Sequence, residues 1–310
     1  MPRGESDPAA PQQRPRPGLL ARLSDLRRPR RHLLPLSRLG AGLSAVQPMI
    51  RALAGGIPMA GGTLLCRSLG RYKMLVDAAD QSHAPHLLLD GYWEWWTTAF
   101  LARNLRPGET MVDAGAGYGY FTLLAADLVG PEGRVLAFEP HPRLAMLLHR
   151  NLTLNGFEER VELTQQALAA GSSPVRRLVV PPDAPPGARL EAEDSPEEDS
   201  YRPEVIITVT ATSLDHLAGR HPDLVKLDIP GSEQEAWSGM QRLLEANPAV
   251  HILMAFDPAR CQEPAALLKQ LALRFPLRRL LPDGRAGDCS AAEILEGGES
   301  MLFLSRSAPA

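Results

Sequence analysis

Cysteine is scarce in this chain of 310 residues. Only Cys66, Cys261 and Cys289 occur, far apart in sequence. They make neither a CxxC pair nor the regular set of a disulfide framework, so they are read as ordinary thiols, which suits a reducing, cytoplasmic setting. Net charge is also low, −3, and gives no electrostatic case for a nucleic-acid partner. No apolar run approaches the ~18 residues of a membrane-spanning helix, and the N-terminus lacks the apolar region of a signal peptide. No cluster has the spacing of metal ligands, so no metal is expected; Asp228 with Asp257 is the only acidic pair that suggests a hard cation. Aromatic residues make up 5%, yet Trp93, Trp95 and Trp96, three of the four tryptophans, fall in one short stretch. What is abundant is apolar residues, 44%, enough for a large core in one domain with extensions.

The most informative stretch is Met111-Val112-Asp113-Ala114-Gly115-Ala116-Gly117-Tyr118-Gly119-Tyr120-Phe121-Thr122. It reads as the end of a buried strand, a tight glycine turn, and a helix continued by Leu123, Leu124 and Leu128. A ligand can approach the main chain at such a turn, and the helix start offers free N–H groups. A second strand, 134–138, ends on Glu139, about 20 positions past the turn, where an acidic side chain accepts hydrogen bonds from ribose hydroxyls. The spacing is G-x-G-x-G, and Tyr120 stands where a dinucleotide site has its third glycine. This favours a nucleoside ligand without phosphates over a nicotinamide dinucleotide. S-adenosylmethionine fits, because its cationic amine and sulfonium suit an acidic rim. The bland alternative is a glycine turn that binds nothing.

In chain order, residues 1–48 are rich in Pro and Arg and are expected to form a partly disordered, solvated extension with a short helix near 19–26. Residues 49–105 are expected to cap the ligand site with a hairpin, 63–66 and 72–77, and a helix from Trp93 to Asn104. Most of the tryptophans are assigned to core, with Glu94 as the best ligand contact. Residues 106–305 alternate strand and helix: helices at 119–129 and 142–155, the latter stopped at Asn155-Gly156, and a third strand at 160–164. This is a doubly wound α/β pattern with a mostly parallel sheet, whose ligands sit outside the carboxyl ends of the strands. That rule places Asp113, Glu139 and Gln166-Ala167 on one rim. An irregular Pro-rich and acidic excursion fills 171–203, with an added strand at 175–180. Strands at 205–210, 224–229, 250–256 and 301–304 and helices at 232–246 and 264–274 follow.

Several of these segments resemble the FkbM-type family of S-adenosylmethionine-dependent methyltransferases, over about residues 63–305. The family pattern D-x-G-A-N-x-G-Y-x-T is met by Asp113 to Thr122, A-F-E-P-x-P by Ala137 to Pro142, and R-N-L-x-L-N-G-F by Arg150 to Phe157. Thr212 to Asp215 matches T-S-L-D, and Lys226 to Glu233 matches K-x-D-V-E-G-x-E. Three departures stand out: Gly117 replaces the usual Asn, Pro230 the usual Glu, and Ala255 the acidic residue that usually ends the fifth strand.

The resemblance implies a Rossmann-like class I methyltransferase fold with an N-terminal extension. It implies methyl transfer, most often to a hydroxyl oxygen, with a small molecule, natural product or glycan as acceptor. Oligomerisation is left open. Cofactor contacts are expected from Glu94, Asp113, Gly115, Ala116, Gly117, Tyr118, Tyr120, Phe121, Glu139, Pro140, Gln166, Ala167 and Asp228. Asp228, at a strand tip, is the candidate catalytic residue, as base or as the group that positions the acceptor. Glu233 is assigned to the helix dipole, and His141, His216 and His251 to structure. The rival is a non-catalytic protein that kept the cofactor site while losing carboxylates.

Overall fold

The computed structural model describes residues 33–40, 42–191 and 204–308. The helix expected near 19–26 and the acidic end of the excursion, from 192 on, lie outside them. Among the described residues no helix is long and apolar enough to cross a membrane.

The central sheet grows from the alternation seen in the sequence. Strands β4 (Thr110–Ala114), β5 (Arg134–Phe138) and β6 (Val161–Thr164) run parallel. Helix α5 (Tyr120–Leu128) joins β4 to β5, and α6 (Pro142–Asn155) joins β5 to β6. On the other side of β4 lie β11 (Leu224–Leu227) and β12 (His251–Phe256), also parallel. Three antiparallel strands finish that edge: β15 (Ser300–Leu304), β13 (Arg278–Leu280) and β14 (Ala286–Asp288). The order is β14-β13-β15-β12-β11-β4-β5-β6. It reverses direction between β4 and β11, and such a switch point opens a crevice at the carboxyl ends of the strands.

Successive strand residues point to opposite faces, and the core divides accordingly. Met111, Val135, Ala137, Leu253 and Phe303 face one way and pack with α4 (Trp95–Asn104), α5 and α6. Val112, Leu136, Val225, Ile252 and Leu302 face the other and pack with α7 (Glu233–Ser238), α8 (Gln241–Ala246), α9 (Pro264–Arg274) and α10 (Ala291–Glu296).

The N-terminal segment joins the first of these cores. Helices α1 (Leu36–Leu39) and α2 (Leu43–Leu53) lead into an antiparallel sheet of β1 (Gly56–Met59), β2 (Thr63–Ser68) and β3 (Tyr72–Asp77), then α3 (Ala84–Leu89). The expected hairpin is thus three-stranded. Asn151 of α6 brackets Leu75, accepting from its N–H at 2.7 Å and donating to its carbonyl at 3.0 Å, and also donates to Tyr118 O at 2.9 Å. One buried amide therefore ties β3 to the glycine turn. Leu34, Leu39 and Val46, inside the stretch expected to lie outside the fold, are at most 1% exposed. Their apolar side chains belong to the core, so packed chain begins at Leu34 and not after residue 48.

The helix expected over 232–246 is two, α7 and α8, broken at Gly239-Met240. A Cβ on Gly239 would stand 2.2 Å from the Ala169 carbonyl oxygen, so the break is where the chain passes tightly against another strand's end. The excursion after β6 forms a second sheet, β7-β10-β8-β9, from β7 (Ala167–Leu168), β8 (Ser173–Val180), β9 (Arg189–Leu190) and β10 (Val205–Thr212).

Candidate active site

The carboxyl ends of β4, β5 and β11 converge on a narrow cleft. Gly115, at φ +74°, makes the turn after β4, and a Cβ there would meet the Asp228 carbonyl oxygen at 1.9 Å. Only glycine lets the β4 turn and the β11 tip lie this close. The cleft is lined by Gly115, Phe138, Glu139, Pro140, Gln166, Ala167, Asp228 and Pro230, by Leu178 and Leu190 of the second sheet, and by Pro185 and Pro186 of the turn between β8 and β9. Six of the expected cofactor contacts are therefore together: Gly115, Glu139, Pro140, Gln166, Ala167 and Asp228.

Glu139 is fixed by two backbone donors. Gly117 N–H donates to Oε2 at 2.7 Å and His141 N–H to Oε1 at 2.8 Å. Burial pushes its carboxyl up to about 7 against these donors. Each oxygen keeps a lone pair for a further donor.

Other expected contacts lie elsewhere. Ala116, Tyr118, Tyr120 and Phe121 are buried in the core. Asp113 is not on the rim. It is fully buried, accepts from Thr122 Oγ1 at 2.6 Å and stands 3.5 Å from Lys226 Nζ. The reason is strand geometry: Asp113 is the cross-strand partner of Lys226, and such pairs meet on one face.

Lys226 escaped the sequence reading as a site residue. The available signal was a lone cation in the apolar strand Leu224-Val225-Lys226-Leu227. Its ammonium is 2.9 Å from Asp228 Oδ2, two residues on and so on the same face, and lies 4.9 Å from the Phe121 ring centroid. Burial works against the charge, but Asp228, Asp113 and Glu94 together outweigh it and hold Lys226 above the ordinary lysine value.

A second, open cavity of about 960 Å³ lies beside the cleft. Trp93, Trp95 and Trp96 form one wall with Glu94, and Ala255, Ser300 and Met301 form another, with Arg279 and Glu299 also lining it. Ala255 and Asp228 each sit one position past the Leu227↔Met254 pair of β11 and β12, so cleft and cavity share this edge. Trp93 also stacks on His83, with ring centroids 4.1 Å apart. Glu94 caps α4 in the left-handed region, φ 35°, a conformation costly for a non-glycine residue. It accepts from Thr97 Oγ1 at 3.1 Å. Burial, with the Asp228 charge adding to it, pushes Glu94 up to about 8 despite Lys226. Glu233, in the first turn of α7, is likewise pushed up to about 8 by burial.

Asp257 faces Arg260 at 3.3 Å, and among the described residues no group of three or more His, Cys, Asp or Glu is placed to hold a metal. His141 Nδ1 caps α6 by accepting from Arg143 N–H and Leu144 N–H, and His251 pairs with Ser305.

The model of the methyltransferase FkbM domain matches residues 113–271. The chain belongs to the FkbM methyltransferase family. S-adenosylmethionine is the cofactor of that family. Over 83 residues the chain is 40% identical to a protein-L-isoaspartate O-methyltransferase of Aeropyrum pernix, covering 26% of this chain and 32% of that one. Over 83 residues it is 35% identical to the enzyme of the same name from Methanopyrus kandleri, covering 26% and 37%. The chain thus spans about a third of the length of the curated relatives it matches. Among solved structures, the methyltransferase FkbM of Methylobacillus flagellatus is 17% identical, with 68% of this chain and 53% of that chain covered and a TM-score of 0.40.

The cleft's chemistry fits the FkbM family's cofactor. Two carboxylates, Glu139 and Asp228, line it together with apolar surface from Phe138, Leu168, Leu178 and Ile229. Its free interior is about 40 Å³, far below the ~300 Å³ of a small-molecule site. A nucleoside is larger than this, so the cleft has to widen to admit one.

Proposed function

We propose that this protein transfers a methyl group from S-adenosylmethionine to a hydroxyl oxygen of a small-molecule or glycan acceptor. The observation that carries this reading is the edge where two cavities meet, at Asp228 past β11 and Ala255 of β12. One is a narrow cleft carrying the carboxylates of Glu139 and Asp228, the other, of about 960 Å³, has room for an acceptor. When bound, the cofactor supplies an electrophilic methyl carbon, and alignment of the acceptor then supplies much of the rate. Glu139 would take the ribose hydroxyls. Asp228, held by Lys226, would orient the cationic end and the acceptor.

In the FkbM pattern a carboxylate stands where this chain has Pro230, and Ala255 takes another acidic place. The acceptor pocket accordingly lacks these two carboxylates, and Trp93, Trp95, Trp96 and Met301 line it beside Asp90, Glu94, Arg279 and Glu299. Residues 49–105 are the cap and 106–305 the methyltransferase domain in this reading. The free thiols Cys66, Cys261 and Cys289 suit a cytoplasmic setting. A methyl-transfer assay over a panel of hydroxyl acceptors, run on the parent, Asp228→Ala and Pro230→Glu, tests it. Turnover by the parent that falls in Asp228→Ala supports the reading. No turnover by the parent, with activity gained in Pro230→Glu, supports a non-catalytic cofactor-binding protein instead.

A further inference from the structure

We propose that Glu94 is the catalytic base, its carboxylate taking the acceptor's hydroxyl proton as the methyl group is transferred. This rests on the reading of the chain as an O-methyltransferase, and it moves the proton from the strand-tip Asp228 to a residue of the N-terminal cap.

Three observations carry it. The first is position. Glu94 lines the open cavity with the tryptophans, Ala255 and Met301, yet it feels the charges of Asp228 and Lys226 at the cleft. Through Ala255, the cross-strand neighbour of Asp228, this cavity reaches the β11 tip, where a hydroxyl in it would meet a methyl group presented from the cleft. The second is availability. Oδ2 of Asp228 is engaged by Lys226 Nζ at 2.9 Å, and Pro230 and Ala255 carry no carboxylate. Among the described residues the Glu94 carboxylate accepts from a single hydroxyl, Thr97 Oγ1 on Oε2. The third is the backbone. Glu94 is held at φ 35°, and strain of this kind persists where the surroundings over-determine it, as at active sites.

The surrounding charges agree with this role. Glu94 faces Thr97 on its own helix, Lys226 and Asp228 at the β11 tip, and Glu299 before β15. His86, Asp90 and Arg279 line the same cavity. Pushed up to about 8 by burial and Asp228, the carboxyl is matched to proton transfer near neutral pH. A cation bound in the cleft favours its ionised form. As the acceptor oxygen gains its bond to the methyl carbon, the S–C bond breaks with its electron pair left on sulfur, and the hydroxyl proton goes to Glu94. The positive charge beside Glu94 thus disappears in the step that protonates it.

Two measurements on the full chain decide it. Calorimetric titration with S-adenosylmethionine at pH 7, in buffers of differing ionisation enthalpy, counts protons exchanged on binding. The parent should release about half to one proton more than Glu94→Gln, which keeps only the release from Glu139. Initial rates on the acceptor panel should then fall about 10²- to 10⁴-fold in Glu94→Gln, with cofactor affinity changed only a few-fold. The rising limb of the pH–rate profile should be lost, and Glu94→Asp should restore part of the rate. Equal proton release by parent and Glu94→Gln would overturn the proposal, as would an unchanged rate and pH profile. So would a pH limb that survives Glu94→Gln but vanishes in His83→Phe. A parent that releases the proton but methylates no hydroxyl acceptor would overturn the O-methylation reading itself, a result distinct from failure at Glu94.

Discussion

Lys226 Nζ lies 2.9 Å from Asp228 Oδ2, and this contact joins the sheet's buried interior to its ligand-facing edge. Behind it stands Asp113, fully buried and 3.5 Å away. One ammonium thus neutralises a core carboxylate and steers a cleft carboxylate.

Removing that ammonium leaves buried charge without a partner. Lys226→Met should therefore lower unfolding free energy by about 3–5 kcal/mol, read from urea denaturation. Adding Asp113→Asn should recover part of the loss. A Lys226→Met variant as stable as the parent would show that the charges are better hydrated than their burial implies.

Stability should fall as pH rises from about 6.5 to 8.5. Glu94, Glu139 and Glu233 are pushed up to about 8, about 7 and about 8, each by burial first. A carboxyl raised above its unfolded value contributes fully below that value and loses the contribution as pH rises through the folded one. Below pH 6.5 the histidines oppose this trend, since burial lowers His83, His141 and His251. Urea midpoints across the window should decline, and Glu139→Gln with Glu233→Gln should flatten the decline. A flat parent profile would contradict the burial argument.

Deleting residues 1–48 should lower the melting temperature markedly. It removes Leu34, Leu39 and Val46 from the core, each worth roughly 1.5–3 kcal/mol when fully buried, and takes the Leu34 carbonyl from Arg71 Nη1, 2.6 Å away. An unchanged melting temperature would mean that these side chains contribute no net packing.

The parallel half of the fold was legible because its signals are local. Glycine turn, apolar strands and the Asn155-Gly156 stop each sit within a few residues, and β5, α6 and α9 fall where periodicity places them. Strand β1 was hidden because Gly56-Ile57-Pro58-Met59 carries strand-breaking residues and is held only by pairing with β2. The break between α7 and α8 depends on Gly239 meeting Ala169, a contact no local pattern announces. At the site, Gly115, Glu139 and Asp228 could be placed by the strand-tip rule, whereas Asp113 could not, because its orientation follows from pairing with Lys226. The open cavity was illegible because Trp96 and Met301, which share it, lie in widely separated parts of the chain.

The proposed cofactor site is the cleft at the ends of β4, β5 and β11, with Glu139 and Asp228 holding S-adenosylmethionine. Isothermal titration of the parent and Glu139→Ala, both verified as folded, tests this most directly. Saturable one-to-one binding by the parent is expected, weakened in Glu139→Ala by about 1.5–3 kcal/mol as a charged acceptor is lost. No binding by the parent, or equal affinity in the two proteins, would contradict it.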